Sequence, residues 1–281
     1  MNRDFFSAEK VNVNITAIRS ACGEIMYLIE GDNKAVLMDT NLGVKGLRKL
    51  VDTITDKEYE VVITHGHLDH ALGVPEFSDK NVYMNHKDIP LYQSMLPFAE
   101  RDGYIHANLG HAFDEYGITN NDYVEEVPEF DFKELHDGMV FDLGGVTVEI
   151  YAYPGHTKGT MVLLIPELGI LITGDACNKS TFLFDRICSS VTEYRQTTVN
   201  LRDRLSGRYD KVYICHHDME VGKDILNEMI DVCDDILGGN TIDRPMPFMG
   251  VMGYLAKEAD DHFNRIDGKS ANLIYNKDKI L

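Results

Sequence analysis

Short apolar runs alternate with stretches of helical period along the whole chain, and no Pro/Gly/Ser-rich linker divides it. Val11 to Ile18 alternates polar and apolar residues, the period of a half-buried strand. Met26 to Ile29 and Ala35 to Met38 are two more apolar runs, joined by Glu30-Gly31-Asp32-Asn33. Gly and Asn tolerate the positive φ of a tight hairpin, so this joint predicts one. Val44, Leu47, Leu50, Val51 and Ile54 recur at helical spacing and predict a helix over 44–55. Val61 to Thr64 reads as a buried strand that runs into a histidine-rich turn. Asp224 to Leu237 sets acids on one side and Ile, Leu and Met on the other, as a surface helix with a solvated charged face does.

The pattern repeats. Gly23 leads through an apolar hairpin to Asp39, and Gly159 leads through another to Asp175, both over 16 residues. Val61-Val62-Ile63-Thr64-His65 then resembles Val212-Tyr213-Ile214-Cys215-His216. Each half thus predicts a hairpin ending in Asp, a helical stretch and a strand ending in His. Two facing sheets related by duplication and covered by helices account for this order. Residues 86–136 interrupt it with Tyr92, Tyr104, Tyr116, Tyr123, His106, His111 and many acids. Such an insertion reads as a lid or substrate loop, or as a solvated segment with no catalytic part.

Composition narrows the function. A net charge of −19 argues against a protein that grips nucleic acid over a broad surface, and no Lys/Arg cluster supplies a basic exosite. No apolar run reaches the roughly 20 residues of a membrane helix, and the opening MNRDFFSAEK lacks a signal-peptide core. The five cysteines are scattered without a CxxC pair, which fits a reducing cytoplasm better than a disulfide framework. A small-molecule substrate is the expected partner. The Met-rich run from Pro245 to Tyr254 reads first as core or as the contact of a homo-oligomer, and second as a pocket wall.

The sharpest chemical signal is His65-Gly66-His67-Leu68-Asp69-His70. Four metal-capable side chains within six residues at a strand end are hard to explain as packing, and their N and O donors suit zinc, iron or manganese. His65 and His67, two apart, point the same way on an extended segment. Gly66 lets the backbone bend close to a metal. Asp69 and His70 follow where a helix starts and could serve a second ion. His156, Asp175 (after Gly174) and His216 or His217 also fall at strand ends, where two packed sheets present a shared edge. The repeat favours His216, which takes the place of His65 in the second copy.

Taken together, HxHxDH, then GHTxG, then GD at a strand end, then a late His resembles the metallo-β-lactamase superfamily. The resemblance runs from the hairpin at Gly23 to the helix after His216. It implies an α+β fold, the four-layer αββα sandwich, as a single domain over 1–281 with the insertion at about 86–136. By similarity His65, His67 and His156 hold one metal, Asp69, His70 and His216 the second, and Asp175 bridges them. Asp39 resembles the family's carboxylate that orients a ligand histidine from behind. The usual glycine neighbours of the last ligand are here Cys215 and His217. Several antibiotic-hydrolysing zinc lactamases place a cysteine ligand near Asp175; the donor set here looks more like the glyoxalase II and lactonase branches.

The resemblance implies a hydrolase that uses a hydroxide held between two divalent ions, most simply zinc, on a thioester, lactone, ester or phosphodiester. Asp69 would aim that hydroxide and so act catalytically. The competing readings are an iron-dependent oxidoreductase on the same scaffold and a non-catalytic metal-binding protein.

Overall fold

In the computed structural model, residues 3–248 and 250–281 are described. They form two compact units, a first ending at Val148 and a second over Glu149–Leu281.

The first unit holds β1 (Phe6–Lys10), β2 (Ile15–Ser20), β3 (Ile25–Glu30), β4 (Lys34–Met38), β5 (Glu58–Val62), β6 (Val82–Met84), β7 (Lys133–Glu134) and β8 (Val140–Asp142). Its helices are α1 (Leu47–Ile54), α2 (Leu68–Ala71), α3 (Ile89–Met95), α4 (Phe98–Leu109) and α5 (Phe113–Tyr116). Strands β1 to β7 lie side by side in chain order. The β1–β4 pairs are antiparallel, and β4–β5, β5–β6 and β6–β7 are parallel. Parallel pairs need a crossover, which α1 supplies between β4 and β5.

Two sequence expectations shift. The strand expected over Val11 to Ile18 begins at Ile15, because Asn12 Oδ1 accepts from the Asn14 and Ile15 amides at 2.9 and 3.0 Å and closes a turn first. The hairpin at Gly31 forms as β3–β4, but without positive φ at Gly31 or Asn33. Gly31 serves close approach instead, since a Cβ there would lie 2.3 Å from the Leu143 carbonyl oxygen.

Residues 86–136 are largely helical and packed, not a solvated loop. Tyr92 and Ile105 are fully buried in the core of the first unit together with Leu37, Val61 and Phe77. Both of its singled-out histidines, His106 and His111, are exposed, and His106 stacks on Phe113.

The second unit holds β9 (Thr147–Ala152, which starts just before it), β10 (Met161–Ile165), β11 (Ile170–Ile172), β12 (Thr181–Leu183), β13 (Lys211–Tyr213), β14 (Glu220–Val221), β15 (Arg244–Phe248), β16 (Val251–Leu255) and β17 (Leu273–Tyr275). Its helices are α6 (Val191–Leu205), opened by a capping box between Ser190 and Glu193, and α7 (Ile225–Leu237). In one sheet the neighbours run β14-β13-β11-β10-β9, and in another β12-β17-β16-β15. The charged face expected for α7 is there, while Ile225, Leu226, Met229, Ile230, Val232, Cys233 and Ile236 are buried.

The internal repeat is real, but its register differs from the sequence match. In both units a hairpin's second strand pairs parallel with a later strand, β4 with β5 and β11 with β13. The Asp39 amide donates to Val62 O, and the equivalent bond in the second unit is made by Thr173 to Tyr213 O, both at 2.9 Å. Asp39 therefore corresponds to Thr173, not to Asp175. The second hairpin is two residues shorter, judged from Tyr27↔Met38 and Leu163↔Ile172, and the equal Gly-to-Asp spacing is a coincidence. His65 and His216 do correspond, each three residues past these matched positions.

The Pro245–Tyr254 stretch is a hairpin and not core. Phe248, Val251 and Met252 are exposed at its tip, and Met249 lies outside the described residues. No helix among the described residues is long and apolar enough to cross a membrane.

Gly73 marks the tightest backbone approach beside the histidine turn, with a virtual Cβ 2.0 Å from Thr40 O. Gly73→Ala is expected to lower stability by about 2–3 kcal/mol, because the atom it meets is backbone that cannot swing aside. Urea denaturation checks this; an unchanged midpoint refutes it.

Candidate metal centre

In the first unit, β5 ends at Val62, and a bent segment then delivers Thr64, His65 and His67 before α2 starts at Leu68. His65 Nε2 and His67 Nδ1 come within 3.0 Å, so the two rings do converge, on a bent and not an extended segment. Gly66 between them packs closely on Asp88. A Cβ there would lie 2.7 Å from Asp88 O, and the Gly66 amide donates to Asp88 Oδ2 at 3.0 Å. Packing against the residue that opens α3 by itself requires glycine there.

Asp69 and His70 lie in the single turn of α2. His70 Nε2 faces Asp69 Oδ2 at 3.7 Å, while its Nδ1–H donates to Asp39 Oδ2 at 2.8 Å. Asp39 is almost fully buried and sits at φ 63°, a left-handed conformation that Asp tolerates better than most residues. Its carboxylate also accepts from the Thr64 amide at 2.8 Å and from the Thr64 hydroxyl at 2.9–3.0 Å. Thr64 Oγ1 lies 3.1 Å from His65 Nδ1. With its proton given to Asp39, that hydroxyl accepts from His65 Nδ1–H, which leaves a lone pair on His65 Nε2. One carboxylate thereby sets the tautomers of two rings.

In the second unit, His156 follows β9 in the turn before β10. Its Nδ1 lies 2.8 Å from Phe182 O, and a carbonyl can only accept, so Nδ1 carries the proton and Nε2 the lone pair. His156 Nε2 is 3.8 Å from Asp175 Oδ2, and His216 Nε2 is 3.2 Å from the same oxygen. Asp175 follows Gly174, whose φ of 52° turns the chain out of β11. His217 is exposed with φ 54°, so within this unit His216, not His217, meets Asp175. Cys177 is no rival donor. Its sulfur points at Ile225 O in the core beside Tyr153 and Tyr194, and burial pushes the thiol up to about 12.

Each unit thus carries neighbouring His and Asp donors of the kind that hold divalent ions. Three rings (His65, His70, His156) have one nitrogen engaged from behind by a hydroxyl, a carboxylate or a carbonyl. Metal-ligating histidines are held this way, because the rear bond fixes both tautomer and ring direction. The donor set therefore fits divalent ions. Sequence reasoning named Asp39 but missed Thr64, Asp88, Glu24 and Tyr104. Thr64 adjoins His65 in the chain, whereas Asp88, Glu24 and Tyr104 belong to no motif and only the chain path brings them to the turn.

Asp39→Asn is expected to weaken divalent-ion binding about 10- to 100-fold, since one amide cannot serve both Thr64 and His70. Calorimetric titration of metal-free protein checks this, and wild-type affinity refutes it. In the same assay His216→Ala is expected to remove more binding than His217→Ala; the reverse order overturns the choice of His216.

The sequence profile of the Metallo-beta-lactamase superfamily matches residues 21–216. An uncharacterized protein of Mycobacterium leprae is 29% identical over 153 residues, 52% of this chain and 64% of that protein. One of Mycobacterium tuberculosis is 30% identical over 165 residues, 55% of this chain and 67% of that protein. The chain thus spans about two-thirds of the length of these curated relatives. The solved metallo-beta-lactamase from Pontibacter korlensis superposes with a TM-score of 0.56 at 17% identity, over 80% of this chain and 97% of that one. The last is a likeness of fold, and it agrees with the α+β mixture of sheets and helices. With most of its length matched, this chain belongs to the metallo-beta-lactamase superfamily.

Proposed function

We propose that this protein is a metal-dependent hydrolase with a binuclear centre acting on a small ester-like substrate. In this reading His65, His67 and His156 hold one divalent ion, Asp69, His70 and His216 hold the other, and Asp175 is shared. The observation that carries it is the rear engagement of His65, His70 and His156, an arrangement that leaves lone pairs where a cation would use them. The family match across 21–216 supports treating both units as one working domain over 1–281.

Two divalent ions, most simply zinc, would supply a water of lowered pKa and positive charge against a developing oxyanion. The chain does the rest. Asp69 accepts a hydrogen bond from the attacking water and aims it. Asp39 and Thr64 fix the tautomers and directions of His70 and His65, as Phe182 O does for His156. No GxSxG serine elbow occurs in the sequence, which supports attack by water without a covalent intermediate on the protein. Thioesters, lactones, carboxylic esters and phosphodiesters all fit this machinery. The helical segment 86–136 serves as the substrate-side cover, and the acidic surface favours a small substrate over nucleic acid. Five buried cysteines support the cytoplasm as the compartment.

Elemental analysis of protein purified without chelators is expected to find about two divalent ions per chain, with hydrolysis of at least one substrate class in a thioester, lactone and phosphodiester panel. Asp175→Ala should lower both metal content and turnover. A single iron with oxygen-dependent turnover, or Asp175→Ala at wild-type levels, overturns the reading.

A further inference from the structure

Helix α4 brings to Asp69 a side chain that no motif requires. Tyr104 Oη lies 3.1 Å from Glu24 Oε1 and 3.3 Å from Asp69 Oδ2, so one phenolic O–H is shared between two carboxylates. Glu24 is only 2% exposed. Its other oxygen accepts from Asn41 Nδ2 at 3.0 Å and from the Ser20 hydroxyl. Asn41, like Asp39, holds a left-handed conformation, φ 62°, at the end of β4. Glu24 is therefore a fixed post, tied to β2 and to the turn that carries Asp39.

Asp69, by contrast, is part-exposed on a four-residue helix. The last torsion of a carboxylate is broad and two-fold, so a ligand that must also aim a water needs an outside restraint. Tyr104 provides one from a helix that cannot roll. Arg101, one turn before it, is buried, donates to Val124 O at 2.9 Å and lies over the Phe98 and Tyr123 rings. Ile105, next to it, is fully buried.

We propose that Tyr104 is a positioning residue: braced against Glu24, its hydroxyl sets the orientation of the Asp69 carboxylate and links loading of the second ion to the docking of α4. This rests on Asp69 being a ligand, as proposed above. The segment 86–136 then does more than cover a substrate, because it completes the surroundings of a ligand.

The test compares wild type, Tyr104→Phe and Tyr123→Phe, each stripped of metal and titrated with Co²⁺ by calorimetry and visible absorption. Phenylalanine keeps each ring, and melting temperatures check the fold. Tyr123 is the control, since its hydroxyl bonds Asp102 of the same helix at 3.0 Å. The expected result is two ions in wild type and in Tyr123→Phe. Tyr104→Phe should bind the first ion unchanged and the second about tenfold more weakly, with an altered cobalt spectrum. Unchanged second-ion affinity and spectrum in Tyr104→Phe overturn the proposal alone. Equal weakening in both variants also overturns it, assigning Tyr104 to packing of the insertion. A wild type that takes no second ion overturns it together with the reading on which it rests.

Discussion

The buried carboxylate of Asp39 is the constraint on which the first half of the donor set depends. A charge removed from water must be met by hydrogen bonds, and here three donors come from two places, the amide and hydroxyl of Thr64 and the ring of His70. Satisfying Asp39 therefore fixes the end of β5 against the start of α2. The chain accepts an unfavourable backbone angle at Asp39 to achieve this. Thr40 and Gly73 complete the arrangement, with the Thr40 amide bonded to His70 O and its carbonyl pressed against a residue that only glycine suits. The histidine turn is rigid because everything behind it is already spoken for.

The second unit reaches a similar end by other means. His156 is held from behind by a backbone carbonyl on β12, not by a carboxylate. The residue that matches Asp39 in sheet register is Thr173, whose hydroxyl bonds Cys177 O and ties down the turn after β11. That leaves Asp175, two residues on, with an oxygen facing both His156 and His216. The two units share the place of one histidine, His65 in the first and His216 in the second, while their aspartates stand at different register positions. One orients from behind and the other presents itself.

The exposed tip of the β15–β16 hairpin also follows from local geometry. Pro245 and Pro247 lack amide protons, so β15 suits the edge of its sheet, where it is found. Phe248 turns back onto Phe182, with ring centroids 5.0 Å apart, and the carbonyl of Phe182 is the one that holds His156. Apolar composition alone pointed to the core or to a subunit contact. A strand at an edge leaves such residues half in water.

The sequence by itself determined the elements and the chemistry that rest on short-range periodicity and spacing. The β3–β4 hairpin, α1, α7 and the convergence of His65 with His67 all follow from residues close in the chain, as does membership of a metal-binding family. What it misjudged were matters of long-range contact. Gly31 is small because Leu143 approaches it, not because of a turn, and Asp88 packs just as closely on Gly66. The segment 86–136 is packed because Tyr92 and Ile105 find a core that its own acidic composition does not announce. Which aspartate stands where in the repeat was decided by sheet register, and spacing cannot see register when two hairpins differ in length. Tyr104 meets Glu24 across 80 residues of chain. Such a contact costs loop-closure entropy that no local pattern encodes, so only the tertiary structure could disclose it.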